Sequence, residues 1–504
     1  MSIVSPSEAK RPAAQARQQP PSASYAAWRD AAEQRDRANR LDEWRSLETA
    51  DEFDAGEVRL RMDALRASNT RDDKGELLFQ LNEGVHGNIA GIGNPALYAR
   101  AEAGTKHLVG EYFAAVVEAL DAVAAASERE VPLAEKLDFF QRASLCYGRS
   151  ALMLSGGGGR VYFHHGVVDA LLYQGLLPDV LSGSSAGGWI CAQLGARRDD
   201  ELDGYFASKR YEFGMARSAL STMLNARSMR ENPSLAKARR EVVAELAGDM
   251  TFAEAHEHSG RMINISVASP DRFHRARLLN AITSPNVTLR SACLATSCLP
   301  RFSEPEMLEA KDRSGRVVPY LPGQRWIDGA LADDLPMKRL QRLYAVNHFV
   351  VSQINPLSAV IPFLRADRKS GKDGPIYQAS NFFFGALREG AKFAQRSLWP
   401  VNRVVADAWL EYFYRVADQN YSGDITIEAG IDRRSFEHSV FNFADDAEIV
   451  AMIGEGRRAT WPRIEQIRNA TLVSKALDAH LVALERQAMG VRDARFRRVP
   501  GHGV

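Results

Sequence analysis

Two strand–turn–helix signals in close succession limit this chain's fold more than any other feature. The first reads ALMLS, then GGGGR, then VYFHHGVVDALLYQG; the second reads DVLSG, then SS, then AGGWICAQLGA. A short apolar run that ends in glycine suits a strand buried on both faces, and the apolar segment after it suits a covering helix. Strands alternating with helices run parallel, because the helix carries the chain back to the starting edge of the sheet. MINISVAS (262–269) and NHFVVSQI (347–354) add two more apolar, β-branched strands. The expected core is α/β, a mainly parallel sheet covered by helices on both faces.

The turns between these elements carry the chemistry. In the first, Gly156, Gly157, Gly158 and Gly159 lie between Ser155 and Arg160, where a strand opens into a helix. Glycine lets backbone N–H groups converge on one point, and the helix N-terminus adds positive potential. Such a loop suits an oxyanion or a phosphate. The Walker ending Lys-Ser/Thr is absent, and Val161 stands where G-x-G-x-x-G needs its third glycine. The second turn is a G-x-S-x-G formed by Gly183, Ser185 and Gly187. After a strand and before a small-residue helix, that pattern is a nucleophile elbow or a serine capping its helix. Ser184 is a competing hydroxyl, but the spacing selects Ser185. A nucleophilic serine needs a base. His348 sits in an apolar strand, His164 and His165 follow the glycine loop, and no histidine occupies a glycine-flanked loop after a strand. RWIDGALADDLP offers Asp328 at a strand end beside Gly329. A shielded carboxylate within reach of the serine serves as a base; the alternative is an ordinary turn aspartate.

In this order, the glycine loop, the G-x-S-x-G and the D-G-A resemble the patatin-like phospholipases, which use a Ser-Asp dyad. The resemblance implies a three-layer α/β/α core with Ser185 as nucleophile and Asp328 as base. It also implies an oxyanion hole built from the backbone of Gly156 to Gly159, with Gly183 and Gly187 shaping the elbow. SPNVTLRSACLATSCLPRF (284–302) and VNHFVVSQINP (346–356) are similar to the family segments around the D-G-A strand. NEGVHGNIAGIGNPALYARAEAGTKHLVGEY (82–112) is similar to the helical domain of fungal and plant triacylglycerol lipases. QNYSGDITI (419–427) and GRRATWP (456–462) are similar to their C-terminal part, so the resemblance spans residues 40 to 485. Arg160 matches the plant version; Ser155 and Val161 depart from the aspartate and glycine common there. The implied activity is hydrolysis of fatty-acyl esters of glycerolipids, of triacylglycerol lipase or phospholipase A type, with no metal or cofactor. The alternatives are acyl transfer to a lysophospholipid or acylglycerol by the same dyad, and a non-catalytic lipid-binding scaffold. His164 and Asp169 also form an H-x-x-x-x-D, a pattern associated with lipid acyltransferases. On a helix they point about 140° apart, so no relay between them is expected.

The rest of the chain divides by texture. Residues 1–27, rich in Pro, Ala, Gln and Ser, are expected to be disordered. Residues 28–148 form a helical N-terminal domain, in which Leu108, Tyr112, Val116 and Leu120 mark one helix face. The catalytic domain is expected at 149–355, a mainly helical extension at 356–490 and a basic tail at 491–504. Sixty-four Lys and Arg against 63 Asp and Glu leave a net charge of +1, so no whole-chain field attracts nucleic acid or anionic membrane. Within 359–404, however, eight Lys and Arg face three acids, interleaved with Phe382, Phe383, Phe384, Phe393, Leu398 and Trp399. That segment reads either as a peripheral docking surface for membrane or lipid or as aromatics packed into a core. Four cysteines without C-x-x-C spacing are expected to be buried, reduced thiols of a cytoplasmic protein. The N-terminus lacks the apolar core of a signal peptide, and no apolar run nears the roughly 20 residues that span a bilayer.

Overall fold

The computed structural model describes residues 24–85, 88–202, 204–205, 233–270, 276–299, 303–355, 422–430 and 446–496. The aromatic-basic stretch at 359–404 lies outside the described residues, as do residues 1–23 and 497–504.

Among the described residues seven α-helices come first: α1 Tyr25–Ala38, α2 Leu41–Ser46, α3 Ala55–Thr70, α4 Lys74–Gly84, α5 Pro95–Ala99, α6 His107–Ala125 and α7 Leu133–Tyr147. Helix α1 begins inside the segment expected to be disordered, because the Ser24 hydroxyl caps it and Tyr25 stacks on Trp28 at 5.8 Å. Asp54 and Asp73 cap α3 and α4 by accepting the N–H groups of Glu57 and Glu76, each at 3.0 Å. Leu108, Tyr112, Val116 and Leu120 are buried together, as their four-residue spacing predicts. Buried Lys106 donates to the carbonyls of Trp44, Leu47 and Thr49 at 2.6, 2.7 and 3.1 Å, closing the C-terminal end of α2.

The α/β part follows in order: β1 Arg149–Leu154, α8 Val161–Tyr173, β2 Val180–Gly183, α9 Ala186–Gly195, α10 Asp199–Leu202, α11 Pro233–Ala247, α12 Phe252–Ser259, β3 Met262–Ala268, β4 Arg277–Leu279 and α13 Leu289–Thr296. It continues with β5 Glu309–Lys311, β6 Val317–Pro319, β7 Ile327–Asp328, α14 Met337–Tyr344, β8 Val346–Gln353, β9 Ile425–Glu428, α15 Asp446–Thr460 and α16 Ile464–Phe496. The main sheet runs β4-β3-β2-β1-β8-β9, with β7 also on β3. The pairs β3-β2, β2-β1, β1-β8 and β8-β9 are parallel, while β4 and β7 are antiparallel to β3. Side chains of a strand alternate between faces. Leu152 and Leu154 join Leu181, Ile263 and Val350 under α8, α9, α13 and α15, whereas Ala151 and Met153 join Val346 and Val351 over Leu340 and Tyr344 of α14. The three layers are the expected ones.

Two boundaries differ from the expectation. Strand β9 pairs with β8, so the sheet draws on sequence beyond residue 355. Helix α16 runs to Phe496, into the segment read as a tail, since no proline interrupts it before Pro500. That helix also joins the two halves. Its Ile464 and Ile467 lie in the sheet-side core, and its Val473, Leu477 and Leu484 in the core of the helical domain. Asp478 fixes the junction, accepting from the Arg149 guanidinium at 2.7 and 3.0 Å and from the Ser144 hydroxyl at 2.7 Å. Cys191, Cys293 and Cys298 are buried, but Cys146 is exposed, contrary to the expectation for all four. Among the described residues no helix is long and apolar enough to cross a membrane.

Candidate active site

Strand register brings the two chemical turns together. Leu154 at the end of β1 pairs with Gly183 at the end of β2, so the glycine loop and the serine turn leave the sheet at one level. On β3, Ile265 pairs with Gly183 on one side and Leu279 on the other. Two residues later, Val267 pairs with Arg277 and with Asp328. Strand β7 therefore takes the edge that β2 vacates when the chain turns off at Gly183. Asp328 is delivered beside the serine, at the C-terminal ends of the parallel strands, where open α/β sheets place their ligands.

Ser185 itself is a strained residue. Its φ of 48° and ψ of −121° fall where side chains rarely go, and such strain persists only where the surroundings over-determine it. The surroundings do. Its N–H donates to Thr296 Oγ1 at 2.9 Å, Thr296 donates in turn to the Ser266 carbonyl at 2.7 Å, and its own carbonyl accepts the Trp189 N–H at 3.2 Å. The flanking glycines are demanded by close approach: a Cβ on Gly183 would lie 2.3 Å from the Gly187 carbonyl carbon, and one on Gly187 would lie 2.0 Å from the Leu154 carbonyl oxygen. Ser185 occupies the N-cap position of α9, but its side chain makes no capping bond to that helix, so capping does not engage its hydroxyl. Ser184 is fully buried while Ser185 is partly exposed, so of the two serines only Ser185 is open to solvent.

Asp328 is 1% exposed, accepts the Ala330 N–H at 2.9 Å and lies beside the Ser185 side chain, which acts on its carboxyl. Burial, which disfavours the charged form, pushes its carboxyl up to about 7; the Ala330 N–H and the Ser185 side chain hold it back only in part. A carboxylate poised near neutrality beside a serine side chain has the protonation range of a general base.

The glycine loop is pinned at its start. Ser155 donates its N–H to the Ser352 carbonyl at 3.1 Å, and its hydroxyl accepts the Ile354 N–H at 2.9 Å. His164 Nε2 donates to the Ser155 carbonyl at 2.9 Å, which leaves Nδ1 to accept from the Ser352 hydroxyl at 2.7 Å. Full burial lowers the His164 imidazole to about 4, so it is neutral and structural at physiological pH. Asp169 is bound instead to Arg457 at 2.6 Å, and the H-x-x-x-x-D pair makes no relay, as its helical separation predicts. His348 is likewise occupied, by Ser150 at 3.0 Å. Val161 opens α8 with an ordinary helical φ of −47°, so no glycine is needed there; the left-handed position, φ 57°, falls on Gly158.

One residue of the expected oxyanion hole is engaged elsewhere. The Gly156 N–H donates to Asp334 Oδ1 at 2.9 Å, which leaves Gly157, Gly158 and Gly159 as the remaining candidates for the expected hole. Asp334 was missed by sequence reasoning although it lies in the ADDLP that follows Asp328. It is 1% exposed, also accepts the Ser184 hydroxyl, and burial pushes it up to about 7. A carboxylate two residues before a proline gives no signal that it folds back under a loop almost two hundred residues upstream. Among the described residues no cluster of three or more His, Cys, Asp or Glu is placed to hold a metal.

Comparisons with known proteins agree with this architecture. A model described as patatin-like phospholipase matches residues 152–340, and a domain of unknown function, DUF3336, matches residues 7–145. A patatin-like phospholipase domain-containing protein of Cryptococcus neoformans is 32% identical over 471 residues, covering 90% of this chain and 53% of that protein. A triacylglycerol lipase of Arabidopsis thaliana is 30% identical over 484 residues, covering 92% and 57%. A patatin-like phospholipase domain-containing protein of Meyerozyma guilliermondii is 32% identical over 481 residues, covering 91% and 66%. The chain thus spans little more than half the length of the first two relatives. With the sheet order, the strained serine and the buried aspartate already in place, these matches assign the chain to the patatin-like phospholipase family.

Proposed function

We propose that this protein is a lipid acyl hydrolase that cleaves fatty-acyl esters of glycerolipids, of triacylglycerol lipase or phospholipase A type, through Ser185 and Asp328. The Ser185 oxygen attacks the ester carbonyl as Asp328 takes its proton. The oxyanion forms against the amides of Gly157, Gly158 and Gly159, donors whose field is fixed before the charge develops. Collapse of the tetrahedral intermediate expels the glycerolipid alkoxide, which receives the proton from Asp328 and leaves an acyl-enzyme. Water, deprotonated by Asp328, then releases the fatty acid, and the proton returns to the Ser185 oxygen. The observation that carries the reading is the register that sets a positive-φ, partly exposed serine beside a buried carboxyl held near neutrality. The names of the Arabidopsis and fungal relatives support the substrate class.

The test is a panel of triacylglycerols, phospholipids and lysophospholipids incubated with wild type and Ser185→Ala, with released acids read by mass spectrometry. Release from a glycerolipid by wild type alone is expected; equal release by both proteins rejects the reading. Added alcohol acceptors report in the same panel whether the acyl group also passes to an alcohol.

We also propose that the protein works at a lipid surface on the cytoplasmic side, docking through residues 359–404. The support is compositional: eight basic residues against three acids among aromatics. Neutralising Arg388, Lys392 and Arg396 is expected to lower co-sedimentation with anionic vesicles while a soluble nitrophenyl ester is still cleaved; unchanged vesicle binding overturns it.

A further inference from the structure

We propose that Asp334 is a positioning residue for the reaction, a clamp whose carboxylate joins the glycine loop to the serine turn. The inference rests on the Ser185–Asp328 reading and adds a third side chain to it. The same carboxylate oxygen, Oδ1, accepts the N–H of Gly156 and the hydroxyl of Ser184. Each donor is the immediate neighbour of a working group: Gly156 precedes the amides left to meet an oxyanion, and Ser184 precedes the nucleophile. One acceptor thus fixes the spacing between the oxyanion donors and Ser185. The two loops already press together there, since a Cβ added at Gly156 would lie 3.3 Å from the Ser185 Cβ and 3.0 Å from the Ala330 Cβ.

Asp334 is tied to the base as well. Only five residues separate it from Asp328, and that link is folded tightly, with the N–H groups of Ala332 and Asp333 both donating to the Gly329 carbonyl at 3.0 Å. Glycine loop, serine turn and base strand therefore meet at one buried carboxyl. A buried carboxyl is a costly choice for a packing position, and an apolar side chain of similar size would do better there unless donors required an acceptor. Here two do, and both belong to the site. The pair Ser184–Asp334 resembles Ser185–Asp328 in residue type, but Ser184 is fully buried and meets no substrate.

The test measures kcat and KM separately on a soluble nitrophenyl ester for wild type, Asp334→Ala, Asp334→Asn, Ser184→Ala and Ser185→Ala. Losing one oxyanion donor lowers kcat by roughly 100- to 1000-fold, so displacing the loop without deleting a donor is expected to lower kcat by about 10- to 100-fold in Asp334→Ala, with KM changed little. Asp334→Asn retains an acceptor oxygen of the same shape and is expected to recover to within about tenfold of wild type. Ser184→Ala, which removes one of the two donors and keeps the loop bond, is expected to fall between wild type and Asp334→Ala. It replaces Asp334→Ala if that variant does not fold. Wild-type kcat in Asp334→Ala, or in Ser184→Ala where it stands in, overturns the clamp. So does equal loss in Asp334→Ala and Asp334→Asn, which would assign the effect to charge. Full turnover by Ser185→Ala would instead reject the dyad reading, which keeps the two failures apart.

Discussion

The base is expected to cost the fold stability at the pH where it works. Asp328 is fully buried, and its carboxyl rises from 3.8 to about 7 on folding. A carboxyl raised in this way stabilises the native state while protonated. That contribution is complete below about 3.8, its unfolded value, and is lost as pH climbs through about 7. At about 1.36 kcal/mol per pH unit the whole swing is on the order of 4 kcal/mol, and somewhat more than half of it falls between pH 5 and pH 8. Asp328→Asn keeps an oxygen to accept the Ala330 N–H but has nothing to ionise. Its stability relative to wild type is therefore expected to improve by about 2–3 kcal/mol on going from pH 5 to pH 8. Asp334, also near 7 and raised in part by the Asp328 charge, eases in the same direction when that charge is removed. Urea unfolding of the two proteins at both pH values measures the difference, which amounts to roughly 1 M in midpoint for an m-value of 2–3 kcal/mol/M. Parallel pH dependences would mean that Asp328 is no harder to ionise folded than unfolded, contrary to its burial.

Four further outcomes follow from the same geometry. The acid limb of kcat/KM is expected near pH 7, since Asp328 must be ionised to accept a proton; a limb at pH 4–5 would point to a solvated carboxylate. Ser185→Ala and Asp328→Asn are each expected to remove nearly all turnover, and the double variant to be little worse, as for residues that act as a unit; multiplicative losses would contradict that. Gly187→Ala drives a Cβ to 2.0 Å from the Leu154 carbonyl, a backbone atom with no room to yield, and is expected to destabilise by more than about 3 kcal/mol. By contrast Gly110→Ala in α6 meets nothing within 4 Å and is expected to raise the unfolding free energy, read from urea unfolding, by up to about 1 kcal/mol through helix propensity.

Local sequence carried the parts of the site that are themselves local. Gly183 and Gly187 announce a turn too tight for side chains, and the spacing separates Ser185 from Ser184 before burial does. Asp328 is legible because a strand, an aspartate and a glycine fall together after a search of the histidines comes up empty. The helical domain was legible from four-residue periodicity, and β1, β2, β3 and β8 from short apolar runs. What escaped was long-range. Asp334 is one polar residue among three acids in a loop, and only the tertiary fold brings it under Gly156. Strand β9 is four residues long, too short for its alternation to stand out, and it owes its place to the exposed edge of β8. Helix α16 carries apolar residues on more than one face because it serves two cores, which blurs the periodicity that would have marked it as the joint between them. Helix α1 was missed at its first turn because Tyr25 is ordered by stacking on Trp28, which composition does not report.

The central claim, that Ser185 is the nucleophile and Asp328 its base, is tested most directly by trapping the acyl-enzyme. A slowly hydrolysed activated ester is mixed with the protein, quenched, and the digest read by mass spectrometry. One acyl group per chain is expected on Ser185, absent in Ser185→Ala and formed far more slowly in Asp328→Asn. An adduct on Ser184, or acylation at an unchanged rate in Asp328→Asn, would contradict the claim.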